Sequence, residues 1–143
     1  MRISSLLDRK GSAVVTISGE ASVAEAVAAL AEHRIGAIIV SGDGAHIEGI
    51  VSERDVVRGL GMSHGTLLEQ PVRSIMTANV LTCSPDDLVD SLMTTMTDNR
   101  VRHVPVVEGG VLRGIVSIGD VVKSRIDELE KDRKELEEYI TGR

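Results

Sequence analysis

The chain has no tryptophan, no phenylalanine and one tyrosine, Tyr139. Its core must therefore be aliphatic side chains and methionine, and the aromatic platforms on which single-stranded nucleic acids stack are excluded. One cysteine, Cys83, leaves no disulfide framework and no thiolate metal cluster, which suits a reducing compartment. The four histidines, His33, His46, His64 and His103, show no metal-ligand spacing. Nucleophile elbow, Walker loop and GxGxxG are all missing. No apolar run approaches membrane-span length, and the opening MRISSLLDRKG lacks the apolar stretch of a signal peptide. Positive charge is also short: 16 basic against 22 acidic residues give a net charge of −6, against nonspecific binding to phosphate backbones or anionic membranes. The expectation is a cytoplasmic protein that is not an enzyme, with no metal, no obligatory cofactor, no nucleic acid and no membrane partner.

What the chain does have is repetition. Residues 49–55 read GIVSERD and residues 114–120 read GIVSIGD. Over Gly49–Val57 and Gly114–Val122, seven of nine positions are identical, too concentrated a match for a turn signal alone. With a shift of 66, residues 14–40 also overlay residues 80–106 without a gap. Val23, Ala26, Val27 and Leu30 have the i, i+3, i+4, i+7 spacing of an amphipathic helix, and Val89, Leu92, Met93 and Met96 repeat it. Ser22 with Glu25 predicts a capping box; in the second copy Ser84-Pro85 and Asp87 are both candidate caps. β-rich runs follow at Ile35–Val40 and Val101–Val107, then turns at Gly42-Asp43-Gly44 and Glu108-Gly109-Gly110, then a second run ending in the heptad.

Each unit thus reads strand, helix, strand, strand, helix, with the second helix starting near Ser52 or Ser117. A single unit is too small to bury both faces of its sheet, so two copies packed through their sheets are expected, related by a pseudo-two-fold axis. The fold class is α/β (α+β): two β-α-β-β-α repeats plus a charged C-terminal helix. Residues 1–62 form the first repeat with a helical lead-in, 63–75 a linker, 76–126 the second repeat and 127–143 the tail. In the tail, Asp127–Lys131 and Glu130–Lys134 are candidate ion pairs. Val122, Leu129 and Leu136 recur every seven residues, but the alternates Arg125, Asp132 and Tyr139 make a poor coiled coil, so docking on the body or a second subunit is expected.

The heptad carries the chemistry. A serine hydroxyl and a carboxylate three residues apart share one face of a helix's first turn. A carboxylate accepting from two vicinal hydroxyls is a common way to hold a ribose. Equally, Ser52 and Ser117 can be helix caps, with Asp55 and Asp120 favourably placed on the helix dipole.

GIVSERD and GIVSIGD, together with IMTANVLT, RIGAIIV and VRHVPVV, resemble a CBS-domain pair, the regulatory module first recognised in cystathionine β-synthase. The resemblance spans about residues 8–126. It implies two clefts between the repeats that bind adenosyl ligands (AMP, ADP, ATP, NAD(H) or S-adenosylmethionine) and a signal passed to an effector protein in trans. It also implies a homodimer. By the same resemblance, Asp55 and Asp120 hold ribose with Ser52 and Ser117 assisting. The Asp55 cleft is lined by Ile50, Thr77, Asn79, Leu81 and Val101, with Arg102 and His103 placed for phosphate. The Asp120 cleft uses Ala13, Val15, Ile35 and Ile115. Its counterparts of Arg102 and His103 are Gly36 and Ala37, without charge, which ranks the Asp55 cleft first for a phosphorylated ligand. The alternative is a structural or adaptor pair that works by protein contact without a ligand.

Overall fold

Each duplicated stripe folds as the helix its spacing demands. In the computed structural model, which describes residues 1–63 and 65–142, these helices are α2 (Val23–His33) and α4 (Val89–Asn99). Ala26 and Leu30 on one, and Val89, Leu92 and Met96 on the other, face two separate aliphatic cores; Val23 is also buried, while Val27 of the expected stripe is exposed. His64 of the expected linker and Arg143 of the tail lie outside the described residues.

In the first repeat, β1 (Thr16–Ile17) pairs parallel to β2 (Ala37–Val40), which pairs antiparallel to β3 (Gly49–Ser52). Helix α3 (Glu53–Ser63) follows directly. In the second, β4 (His103–Glu108) and β5 (Val111–Ser117) form a hairpin that runs into α5 (Ile118–Thr141). The expected strand before α4 is reduced to one parallel bridge, Cys83 to Val106. Ser84 stops it, because its N–H bonds to the Asp87 carboxylate at 2.8 Å and its carbonyl to the Asp87 N–H at 3.1 Å. The strands β2 and β4 also begin two residues later than expected. Ile35 and Val101 give their N–H groups back to Leu30 and Met96, completing the C-terminal turns of α2 and α4.

The two repeats do not keep their own lead-ins. Helix α1 (Ile3–Lys10) precedes the first repeat in sequence, yet Ile3, Leu6 and Leu7 are buried in the core of the second. The expected linker packs on the first repeat, through Val72 in its core and buried Leu67. The exchange is reciprocal in detail. The first N–H of α2 bonds to the Gln70 carbonyl at 2.8 Å, and that of α4 to the Met1 carbonyl at 2.9 Å. Ser22 bridges to Pro71, and Leu88, its counterpart, to Arg2. Thr77 then pairs with Ile50 through two backbone bonds of 2.9 and 3.0 Å, fastening the start of the second repeat to the edge of the first.

The capping box of Ser22 and Glu25 forms as expected. At α4 the cap position is Leu88, which bonds no N–H through its side chain, while Ser84 and Asp87 serve the preceding turn. In α5 the expected pairs Asp127–Lys131 and Glu130–Lys134 are replaced by Arg125–Glu128 and Arg133–Glu137. Past Ser124 the helix leaves the body: from Arg125 to Thr141 every residue but Glu128 is exposed. The expected docking of this half on the body is therefore not met. Its apolar residues fall in a register other than the one read from sequence: Val122, Ile126, Leu129, Leu136 and Ile140 share one stripe, interrupted by Arg133.

The heptad glycines now have a reason. A Cβ on Gly49 would stand 2.6 Å from Met76 Sδ and 2.9 Å from the Thr77 carbonyl, and one on Gly114 2.8 Å from Leu7 Cδ2. Each glycine admits the lead-in that completes the exchange. Gly49→Ala is expected to lower stability by about 1–3 kcal/mol, because backbone as well as side chain must shift. Gly61→Ala in α3, where a Cβ meets nothing within 4 Å, should stabilise by about 0.5–1 kcal/mol. Urea unfolding of both variants checks the contrast; equal effects would mean the Gly49 contact is not constraining.

Candidate functional site

The seam of the exchange holds two cavities, of about 670 Å³ and about 310 Å³. The larger brings together Ile50, Ser52, Asp55, Thr77, Asn79, Leu81, Val101, Arg102 and His103, all the residues named for the Asp55 cleft. The smaller brings together Ala13, Val15, Ile35, Ile115, Ser117 and Asp120.

The same local device places the two aspartates. Strand β3 ends at Ser52, whose N–H and Oγ–H both bond to Asp55 Oδ2, at 2.8 and 3.0 Å. Ser117 donates its N–H to Asp120 Oδ2 at 2.8 Å, and its Oγ accepts from the Asp120 N–H at 3.1 Å. The cap reading of the serines is thus satisfied in both repeats. It does not consume the carboxylates, because Oδ1 of each takes no hydrogen bond among the described residues. Asp55 Oδ1 has Arg58 Nη1 at 3.7 Å.

The clefts differ in charge. Arg54, Arg58, Arg100 and Arg102 line the Asp55 cleft, with Glu53 as an added carboxylate. Arg54 and Arg58, which sequence alone sets near the Asp120 cleft or on a solvated helix face, line the Asp55 cleft instead. Gly36 and Ala37 bring no charge to the Asp120 cleft, as expected, yet that cleft is not uncharged. Lys10, from the end of α1, donates to Asp120 Oδ2 at 2.6 Å and to the Ile115 carbonyl at 2.7 Å. Arg34 lines the same cavity. Sequence reading missed Lys10 because its role depends on the exchanged lead-in, about 110 positions away in the chain.

Arg34 and Arg100 carried a signal that was overlooked. They correspond under the shift of 66, and both are left-handed at φ 53° and 54°, the two described non-glycine residues with positive φ. That conformation costs an L-residue about 1–2 kcal/mol, and a glycine or asparagine is the usual solution at a helix end. Each repeat instead keeps an arginine there, on the rim of a cleft.

Matched repeats, an exchanged seam and two carboxylate-headed clefts define an architecture that can be compared with known proteins. The model of the CBS domain matches residues 9–61 and 72–127. The chain belongs to the CBS-domain family. It is 35% identical over 125 residues to a mitochondrial CBS domain-containing protein of Arabidopsis thaliana, aligning 85% of this chain but 61% of that one. A CBS-domain containing protein of Agrobacterium tumefaciens, 46% identical, superposes with a TM-score of 0.84 over 87% of this chain and 99% of its own. A CBS domain protein of Pyrobaculum aerophilum, solved in complex with AMP, is 30% identical with a TM-score of 0.74, over 84% and 89% of the two chains. No described helix is long and apolar enough to cross a membrane.

Electrostatics sharpen the contrast between the CBS clefts. Burial pushes the Asp120 pKa up, but the hydrogen bonds from Lys10 and Ser117 outweigh it and hold the group below its ordinary 3.8. Burial lowers the pKa of His103, against the smaller upward pull of Glu53 and Asp120. Cys83 is pushed up to about 12, chiefly by burial and then by Asp87, so its thiol is a poor nucleophile.

Because the folded pKa of Asp120 lies below its unfolded value, its contribution to stability is present above about pH 4 and is lost as pH falls through the folded pKa. Lys10→Met should raise the Asp120 pKa toward its unfolded value, so that less stability is lost on acidification than in the parent. Carboxyl-detected NMR titration of the pair checks this, and an unmoved Asp120 would show that Lys10 does not set its charge.

Proposed function

We propose that this CBS pair is a sensor of adenosyl nucleotides, acting without catalysis and passing its state to an effector protein in trans. The observation that carries the reading is the Asp55 cleft. One carboxylate oxygen without a hydrogen bond among the described residues, apolar walls from Ile50, Leu81 and Val101, and the cations Arg58, Arg100 and Arg102 share a cavity of about 670 Å³. Those are the parts a ribose, a base and a phosphate require, in a volume usual for small-ligand sites. The relative from Pyrobaculum aerophilum was solved with AMP, which supports the same ligand class here. AMP, ADP, ATP, NAD(H) and S-adenosylmethionine all carry the shared adenosyl group. The phosphorylated ones suit the arginine-rich Asp55 cleft better.

Cytoplasmic residence agrees with the single free thiol. A homodimer is supported by the stripe on α5, since a helix exposed along Val122, Ile126, Leu129, Leu136 and Ile140 gains by covering that face. The same stripe is the feature that favours the second reading, an adaptor that works through protein contact alone.

A thermal-shift panel of the adenosyl ligands separates the two. A ligand at a hundred times its dissociation constant stabilises by about 2.7 kcal/mol, whereas a flat panel at millimolar concentrations would sink the sensor and leave the adaptor. Asp55→Asn, which keeps an acceptor for the Ser52 N–H, should weaken every adenosyl ligand by about 1.5–3 kcal/mol. Arg102→Ala should weaken AMP while sparing adenosine; equal losses would make Arg102 structural. For the dimer, Ile126→Glu with Leu129→Glu should convert it to monomer in light scattering, and an unchanged mass would move the interface off α5.

A further inference from the structure

His103 belongs to both clefts. It opens β4, is half-buried, and lines the larger cavity and the smaller one alike. Its ring reaches between them because the facing residue is Gly36: a Cβ there would stand 3.1 Å from His103 Cε1 and 3.2 Å from Nε2. Gly36 is the repeat counterpart of Arg102, so the pseudo-symmetry fails here. One repeat supplies Arg-His, the other Gly-Ala, and the imidazole occupies the gap. The charged groups that face the ring come from both sides. Glu53 of α3 and Arg102 border the Asp55 cleft, while Asp120 of α5 and Lys10 of α1 border the other.

Resting on the nucleotide reading of these clefts, we propose that His103 couples them: a phosphorylated ligand in either cleft favours the imidazolium, which then favours an anion in the other. Without a ligand, burial disfavours the imidazolium, and the neutral ring has a single N–H to donate. An anion beside it stabilises the protonated form, which carries two N–H donors. Ring and proton are shared, so occupation of one cleft prepares the other, and reciprocity makes the effect equal in both directions. Coupling of this origin needs a pH at which the ring changes charge on binding. It is greatest near about pH 6.5 and fades by about pH 9, where the ring stays neutral throughout.

The test uses the full chain with AMP as probe. Two-site calorimetry at about pH 6.5 should show the second AMP binding about fivefold more tightly than independent sites allow. Heats that depend on buffer ionisation enthalpy should report proton uptake, and both signals should disappear by about pH 9. His103→Gln should lose coupling and proton uptake whatever its effect on AMP affinity, and Gly36→Ala, which crowds the ring, should reduce both. NMR provides a readout independent of affinity. In Asp55→Asn and in Asp120→Asn, each with one cleft weakened, saturating AMP should still raise the His103 pKa. Independent sites in the parent, coupling that survives in His103→Gln, or a His103 pKa that responds to one cleft only would each overturn the proposal. Occupation of a single cleft would overturn it while leaving the sensor reading intact. No binding of any adenosyl ligand would overturn both.

Discussion

The structure depends on one reciprocal exchange: each repeat completes its core with the segment that precedes the other. A β-α-β-β-α unit of about fifty residues buries too little apolar surface to stand alone. Helix α1 gives the second core Ile3, Leu6 and Leu7, and the segment before the second repeat gives the first core Val72. The same segments cap α2 and α4 through the Gln70 and Met1 carbonyls. Gly49 and Gly114 are small because they lie where the exchanged chains cross the heptad strands.

The clefts are consequences of that seam. Each is walled by residues from both repeats and headed by an aspartate in the first turn of a helix that follows a strand directly. Two copies of one sequence unit therefore yield two copies of one local geometry. Charge breaks the equivalence. Exchange brings Lys10 onto Asp120, and divergence leaves Gly36 and Ala37 where the second repeat has Arg102 and His103. The result is one wide, arginine-rich cleft and one narrow cleft with a lysine on its carboxylate, meeting at a single imidazole.

Local features were legible because they obey local rules. Ser22 with Glu25, the stripes of α2 and α4, and the starts of α3 and α5 after Ser52 and Ser117 all follow from spacing and capping chemistry. Departures arose where two local signals compete. The strand expected before α4 was shortened by the Ser84–Asp87 turn. Likewise, the coiled-coil register of the tail was framed on Arg125, Asp132 and Tyr139, when the exposed face runs through Ile126 and Ile140.

The sequence by itself determined that the chain is a doubled unit, that most of the stripe residues of α2 and α4 turn inward, and that each repeat carries a serine and an aspartate at a helix start. Periodicity and capping act over a few residues, so the order of residues suffices to state them. Only the tertiary structure decided which lead-in serves which repeat, that Lys10 sits on Asp120, and that His103 stands between two clefts. Those contacts join positions tens to more than a hundred residues apart, and their geometry exists only once the exchanged segments have closed the two cores.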